Sequence, residues 1–307
     1  MKLKTKNLLT LAELTPKEFV GLLNDSIKLK KELKKNGNKP ILKNKTLAMI
    51  FQKPSTRTRV SFEIGMYQLG GHAVNLSSND TQLSRGESVE DTAKTLSRYA
   101  NCIMARVYDH ELLEKLSQHT TIPVINGLSD SFHPCQILAD FLTIKEKKKK
   151  IRGLKIAWIG DGNNVCNSMI YGAALAGSSM SIATPKEFQP DKKVVKEAQR
   201  STDIELTLDP FQAVNNADVV VTDTYSSIHN NDPKRIKKFL PKYQVNPKLM
   251  RSAKDNAIFL HCLPAKREQE VTSSVIDGSQ SVVWDEAENR LHTQKALLSA
   301  LIHAERI

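Results

Sequence analysis

Short apolar runs alternate with longer segments of helical periodicity along almost the whole chain. In the first half "TLAMIF", "HAVNLS", "CIMARV" and "IPVING" are brief, rich in β-forming residues and bounded by turn residues. In the second half "KIAWIGD", "MSIATP", "DVVVTD" and "AIFLHCLP" repeat the theme. Between them lie segments whose apolar positions recur at helical spacing, such as "PKEFVGLLNDSIKLKKELKK" and "SVEDTAKTLSRYA". That alternation predicts βαβ units, and so an α/β protein with parallel sheets flanked by helices and right-handed crossovers. A chain of 307 residues suits one large domain or two medium ones. The Lys-rich end of "HPCQILADFLTIKEKKKK" marks the expected break, between a domain at 1–147 and a second at 148–285. The last pattern, "ENRLHTQKALLSALI", predicts a C-terminal helix within 286–307 that could pack on either domain, the first being the one we expect.

Composition narrows the class. Apolar residues make up 40% and charged residues 25%, as in soluble globular proteins. No apolar run approaches the roughly 18 residues of a membrane span. The start "MKLKTKNLLTLAEL" lacks a sustained apolar h-region and a small-residue cleavage site, so we expect mature sequence and a cytoplasmic protein. Four scattered cysteines, Cys102, Cys135, Cys166 and Cys262, form no C-x-x-C pair and fit free thiols in a reducing compartment. The 45 basic residues outnumber the 33 acidic ones, giving +12. "KEKKKKIRG" reads as a solvated helix end and linker rather than a nucleic-acid patch, and the general positive field favours a small dianion.

The candidate chemistry is concentrated at the ends of the predicted strands. "FQKPSTRTRVSFE" follows "TLAMIF" and opens a helix on which Val60, Ile64 and Tyr67 keep helical spacing. Five consecutive residues, Ser55, Thr56, Arg57, Thr58 and Arg59, carry a hydroxyl or a guanidinium. One hydroxyl suffices for an N-cap, and arginine in a first turn opposes the helix dipole, so the run is better read as an anion site. No Walker A loop is present. "GDGNNV" after "KIAWI" has two of the three glycines of a dinucleotide fingerprint but Val165 in the third position, which disfavours NAD. It can equally be a tight βα turn, or a turn that presents two asparagine amides at the carboxyl end of a sheet. "SDSFHPCQ" places His133 and Gln136 at another helix start, and "FLHCLP" ends a strand with His261 and Cys262. Neither His–Cys pair has convincing metal-ligand spacing.

Together, "STRTR", "HPCQ", "DGNN" and "HCLP", in this order, resemble the ornithine carbamoyltransferases of the aspartate/ornithine carbamoyltransferase family. The resemblance extends over "DTQLSRGESVEDTAKTLSRY", "MARV" and "DEAENRLHTQKALL". The first two motifs are shared with aspartate carbamoyltransferases, and "DGNN" and "HCLP" point to ornithine. The resemblance implies transfer of the carbamoyl group of carbamoyl phosphate to L-ornithine, giving L-citrulline in arginine metabolism, with another amine such as putrescine as the alternative acceptor. It makes 1–147 the carbamoyl phosphate domain and 148–285 the ornithine domain.

The resemblance also implies roles for individual residues. Ser55, Thr56, Arg57 and Thr58 would bind the phosphate, and Arg106 would span the phosphate and the carbonyl oxygen. His133 would face the carbonyl and Gln136 the carbamoyl NH2, with Cys262, Leu263 and Arg290 completing that pocket. Arg106, His133 and Cys262 are the candidates closest to the chemistry. Gln82 would come from a neighbouring subunit, implying a homo-oligomer built on a trimer with shared sites. Asn164, Asp223, Ser227 and Ile228 would hold ornithine. The family usually has Ser-Met-Gly where this chain has Ser227, Ile228 and His229. No metal or redox cofactor is implied.

Overall fold

The computed structural model describes residues 2–77, 81–225 and 232–302. Ser227, Ile228 and His229 lie outside them. The chain divides into two compact units, Met1–Leu142 with Glu288–Ile307, and Thr143–Ala287. The Pro134–Lys148 helix carries the chain into the second unit, and the Val283–Ile302 helix returns it to the first. Among the described residues no helix is long and apolar enough to cross a membrane.

The first unit is built on four parallel strands: β1 (Thr46–Phe51), β2 (His72–Ser77), β3 (Cys102–Arg106) and β4 (Val124–Leu128). Their order is β2-β1-β3-β4. The second unit has five: β5 (Lys155–Ile159), β6 (Ser179–Ala183), β7 (Ile204–Thr207), β8 (Val219–Thr222) and β9 (Ile258–His261). These are also parallel, in the order β7-β6-β5-β8-β9. Strands covered on both faces need apolar residues at successive positions, which is why their sequences read as unbroken hydrophobic runs. Ile50, Ile103, Leu116 and Val124 belong to the first core, and Ile159, Val220, Phe239 and Phe259 to the second.

β2 and β7 do not follow that pattern: β2 buries no residue fully. The β7 sequence, Ile-Glu-Leu-Thr, buries only its first residue fully; both β2 and β7 lie at a sheet edge, where less of the chain covers them than covers β4 and β9 at the opposite edges. The helix Thr56–Gln68 also departs from expectation: Val60, Ile64 and Tyr67 face outward rather than into the core.

Each sheet has one place where the connections change direction. From β1 the chain goes to β2 on one side and then to β3 on the other; from β5 it goes to β6 on one side and later to β8 on the other. Loops leaving adjacent strands there diverge, opening a crevice at the carboxyl ends. In register, Phe51 lies beside Arg106, and Ile159 beside Thr222. The crevices are therefore bordered by Gln52–Thr58 with Arg106, and by Gly160–Asn164 with Asp223.

The glycines of "GDG" have local causes. Gly160 has φ 119°, a region that favours glycine. Gly162 has no room for a side chain: a Cβ would come within 2.3 Å of Pro190 N and 2.6 Å of Phe188 O. Its N–H donates to Phe188 O at 2.8 Å. The space that a pyrophosphate would need over this glycine is filled by the chain's own backbone. We expect Gly162→Ala to destabilise the second unit by about 1–3 kcal/mol, the usual range for overpacking. A urea midpoint unchanged from wild type would show that the 188–190 segment can move aside.

Candidate active site

At the switch point of the first unit, Ser55 caps the Thr56–Gln68 helix, its hydroxyl accepting from Thr58 N at 3.3 Å. The first turn holds no acidic residue, so the dipole and the arginines combine into a positive site. Arg59 turns away to pair with Glu63 at 3.3 Å, four residues on, and both are solvated. Arg57 is half-buried, Thr56 exposed and Thr58 buried. A cleft of about 490 Å3 opens beside Ser55 and Thr56, bordered also by Arg59 and Asn75. Its volume does not define the site, because Arg57, Arg106 and His133 do not line it.

The charges define it. Arg106 ends β3, where a register shift between Ala105 and Arg106 interrupts the pairing with β4 and re-aims the strand end. His133 is buried before the Pro134–Lys148 helix. Its pKa lies well below the ordinary 6.5, first because of burial and then because of the Arg290, Arg106 and Arg57 guanidinium charges. Three cations thus act on one neutral imidazole. Lys53, also buried, is held low by burial and by Arg106, and its ammonium sits 4.4 Å from the Tyr108 ring centroid.

Arg290, from the Val283–Ile302 helix, joins the far side. It donates to Gln136 Oε1 at 2.6 Å and to Thr58 Oγ1 at 3.3 Å. Gln136 Nε2 donates to Asp140 Oδ1 at 2.8 Å. All four side chains are buried. Asp140 is a residue that sequence reasoning missed, although a Gln–Asp pair four apart on a helix was a legible signal. Gln82 stands exposed on a 3-10 turn, Gln82–Arg85.

At the switch point of the second unit the polarity is reversed. Asp223 follows β8 and is buried. Its Oδ2 accepts from Asn163 Nδ2 at 2.7 Å, and its Oδ1 from Thr224 N at 2.8 Å and Cys262 Sγ at 3.1 Å. Asn163 is also the N-cap of the Asn164–Ala176 helix, accepting from Val165 N and Cys166 N. Asn163 thus orients Asp223; the "GDGNNV" reading presented its amide beside that of Asn164 without giving it this partner, and its place before the helix was a further signal. Asn164 is half-buried in the first turn. Asp161 forms a hydrogen-bonded ion pair with Arg235, whose guanidinium lies 4.2 Å from the Phe188 ring centroid. Burial lifts Asp161 to about 6 against the pull of Arg235. Leu263 follows Cys262 with φ 55°. All four cysteines are free, three of them buried.

The first unit carries a cationic crevice, which suits an anionic group, and the second a buried carboxylate held by neutral donors, which suits an ammonium group. The chain belongs to the aspartate/ornithine carbamoyltransferase family: the carbamoyl-P binding domain matches residues 6–146 and the Asp/Orn binding domain residues 152–301. It is 58% identical over 301 residues to an ornithine carbamoyltransferase of Cenarchaeum symbiosum, covering 98% of this chain and 99% of the relative. The structure of the ornithine carbamoyltransferase from Pyrococcus furiosus superposes with a TM-score of 0.94 at 48% identity, over 98% of each chain. That of the anabolic ornithine carbamoyltransferase from Campylobacter jejuni gives 0.91 at 41%, over 98% of this chain and 100% of the other.

The neutral His133 has a consequence for stability. An unfolded histidine takes up a proton near 6.5, whereas the folded chain resists it. Below that pH the unfolded state binds more protons, so this contribution is complete above 6.5 and is lost as the pH falls. His133→Gln removes the ionisable group. The stability of wild type relative to this variant, from urea midpoints, should therefore shrink on going from pH about 7.5 to about 5. A constant difference would mean that folded His133 protonates normally.

Proposed function

We propose that the protein transfers the carbamoyl group of carbamoyl phosphate to the δ-amine of L-ornithine, giving L-citrulline and inorganic phosphate. The observation that carries this reading is the cationic crevice around neutral His133, in a chain whose full-length relatives are ornithine carbamoyltransferases. Those relatives do not favour putrescine as the acceptor.

Ser55, Thr56, Arg57 and Thr58 hold the phosphate from the helix start, and Arg106 bridges it to the carbonyl oxygen. Neutral His133 donates its one N–H to that oxygen. Gln136 Oε1 accepts from the carbamoyl NH2, with Cys262, Leu263 and Arg290 around it. Asp223 takes the α-ammonium of ornithine, Asn164 its carboxylate, and Ser227 and Ile228 complete the amine side. The neutral δ-amine attacks the carbamoyl carbon. The C–N bond forms, the carbonyl oxygen gains charge, and the C–O bond to phosphate breaks as the phosphate takes up the amine's proton. Fixed donors at that oxygen act where charge develops, and the arginines stabilise the leaving group. No oxidation state changes, so no redox cofactor is called for. Free, mostly buried thiols support a cytoplasmic setting.

Citrulline formation from carbamoyl phosphate and ornithine is the test. Arg57→Ala should lower the rate by about 10²–10³, the usual cost of removing one such donor, and Asp223→Asn should raise KM for ornithine while leaving inhibition by inorganic phosphate unchanged. Near-normal turnover by Arg57→Ala would remove the phosphate-site assignment.

We further propose a homotrimer, or a multiple of trimers, in which Gln82 enters the neighbouring subunit's site. Val60, Ile64 and Tyr67 support this: they form one stripe on the helix that starts with the phosphate-binding residues, and are 43%, 40% and 81% exposed. Exposed apolar stripes of this kind mark interfaces. Sedimentation velocity should give a trimer or larger for wild type and smaller species for Ile64→Glu/Tyr67→Glu, with citrulline formation lost in parallel. A wild-type monomer of full activity would overturn both the oligomer and the shared site.

A further inference from the structure

One carboxyl oxygen of Asp223, one ring nitrogen of His261 and the sulfur of Cys262 all lie within 4.8 Å of one another, a spacing that a metal ion could use. The hydrogen bonds around His261 point elsewhere. Leu263 N donates to His261 Nδ1 at 2.9 Å. An amide N–H can only donate, so Nδ1 carries a lone pair and the ring proton sits on Nε2. Nε2 lies 3.1 Å from Glu270 Oε1. Both ring nitrogens are thus engaged, and no lone pair remains for a cation.

Glu270 is itself held in place. Its Oε1 accepts from Lys266 N at 2.6 Å, and its backbone carbonyl from Val245 N at 2.9 Å. Glu270 and His261 are both buried. On the other side of the ring, Leu263 adopts φ 55°, a left-handed conformation that a branched side chain rarely takes without support. The support here is the imidazole two residues back, which accepts the Leu263 N–H as an Asx side chain would.

We propose that Glu270 is a positioning residue for carbamoyl transfer. Through His261 it selects the Nε2–H tautomer, which holds the Leu263 N–H and fixes the direction of the Cys262–Leu263 peptide. A carboxylate behind a histidine sets the tautomer of the ring in the same way at metal sites; here the ring serves a backbone amide instead. The inference rests on the reading above, in which Cys262 and Leu263 meet the carbamoyl group.

The experiment compares Glu270→Leu with Glu270→Gln, and His261→Ala with His261→Asn. Glutamine keeps an acceptor for Nε2–H, and asparagine keeps one for Leu263 N–H; leucine and alanine keep neither. Loss of an orienting partner typically costs about 10–100-fold, so Glu270→Leu and His261→Ala should lose that much in kcat/KM for citrulline formation. Glu270→Gln and His261→Asn should recover most of it. Inhibition by inorganic phosphate should be the same in all four, because phosphate does not touch the carbamoyl pocket. In ¹⁵N-histidine-labelled protein the His261 ring should show the Nε2–H tautomer in wild type and Glu270→Gln, and a shift toward Nδ1–H in Glu270→Leu. Should Glu270→Leu fail to fold, the His261 pair and the wild-type spectrum still decide. Full activity in Glu270→Leu, equal activity of His261→Asn and His261→Ala, or an Nδ1–H tautomer in wild type would overturn the positioning role. A wild type that makes no citrulline would instead sink the reading beneath it.

Discussion

The first unit is organised around a concentration of like charge. Burial first, and then the charges of Arg290, Arg106 and Arg57, hold His133 well below the ordinary histidine range, and Lys53 is lowered by burial and by Arg106. Bringing cations together in a partly dehydrated crevice is unfavourable until an anion enters. A dianion relieves that repulsion, and it does so most fully when its own charge is greatest. Phosphate leaving from a mixed anhydride such as carbamoyl phosphate gains charge as the bond breaks. In the reaction proposed above, the mutual repulsion of these cations would therefore become stabilisation specific to the transition state.

That cluster can exist only because the fold brings distant segments to one edge. Arginines 57, 106 and 290 come from a helix start, a strand end and a C-terminal helix. The first two are adjacent because β1 and β3 flank the switch point. The second sheet uses the same geometry for the opposite polarity, with Asp223 after β8 facing the turn that follows β5. Its "GDG" turn resembles a dinucleotide loop in sequence, yet the backbone of residues 188–190 closes over Gly162. What remains open there is a carboxylate with neutral donors, which suits an amino acid and not a pyrophosphate.

Eight of the nine described strands were legible: seven are buried along most of their length and so read as apolar runs, and β2, which is not buried, kept β-forming residues between turns. β7 was not, since an edge strand can afford Glu205 and Thr207 on its open side. The helix at Thr56 was legible from its cap and periodicity, but not which way its stripe faced: periodicity gives a face without saying what covers it. The residues that touch substrates in the family resemblance were readable as motifs. Of those that orient them, only Asn163 stood in a motif. Asp140, Asn163 and Glu270 act through one other side chain each, and only for Asp140 and Asn163 did local spacing carry a signal. Glu270 meets His261 nine positions earlier in the chain, across a loop that no periodicity encodes.

These orienting residues share a physical logic. A carboxylate set directly against Arg290 would neutralise the guanidinium and repel the incoming phosphate. Here the neutral Gln136 amide stands between Arg290 and Asp140. Because Nε2 must donate to the carboxylate, Oε1 must face the guanidinium, so the amide is fixed in one of its two orientations without losing the positive charge. His261 plays the same part in the second unit, where Glu270 fixes the ring and the ring holds a backbone amide. In both units the orienting carboxylate, Asp140 or Glu270, lies one side chain behind the proposed contact surface, so it can dictate direction there without contributing its charge.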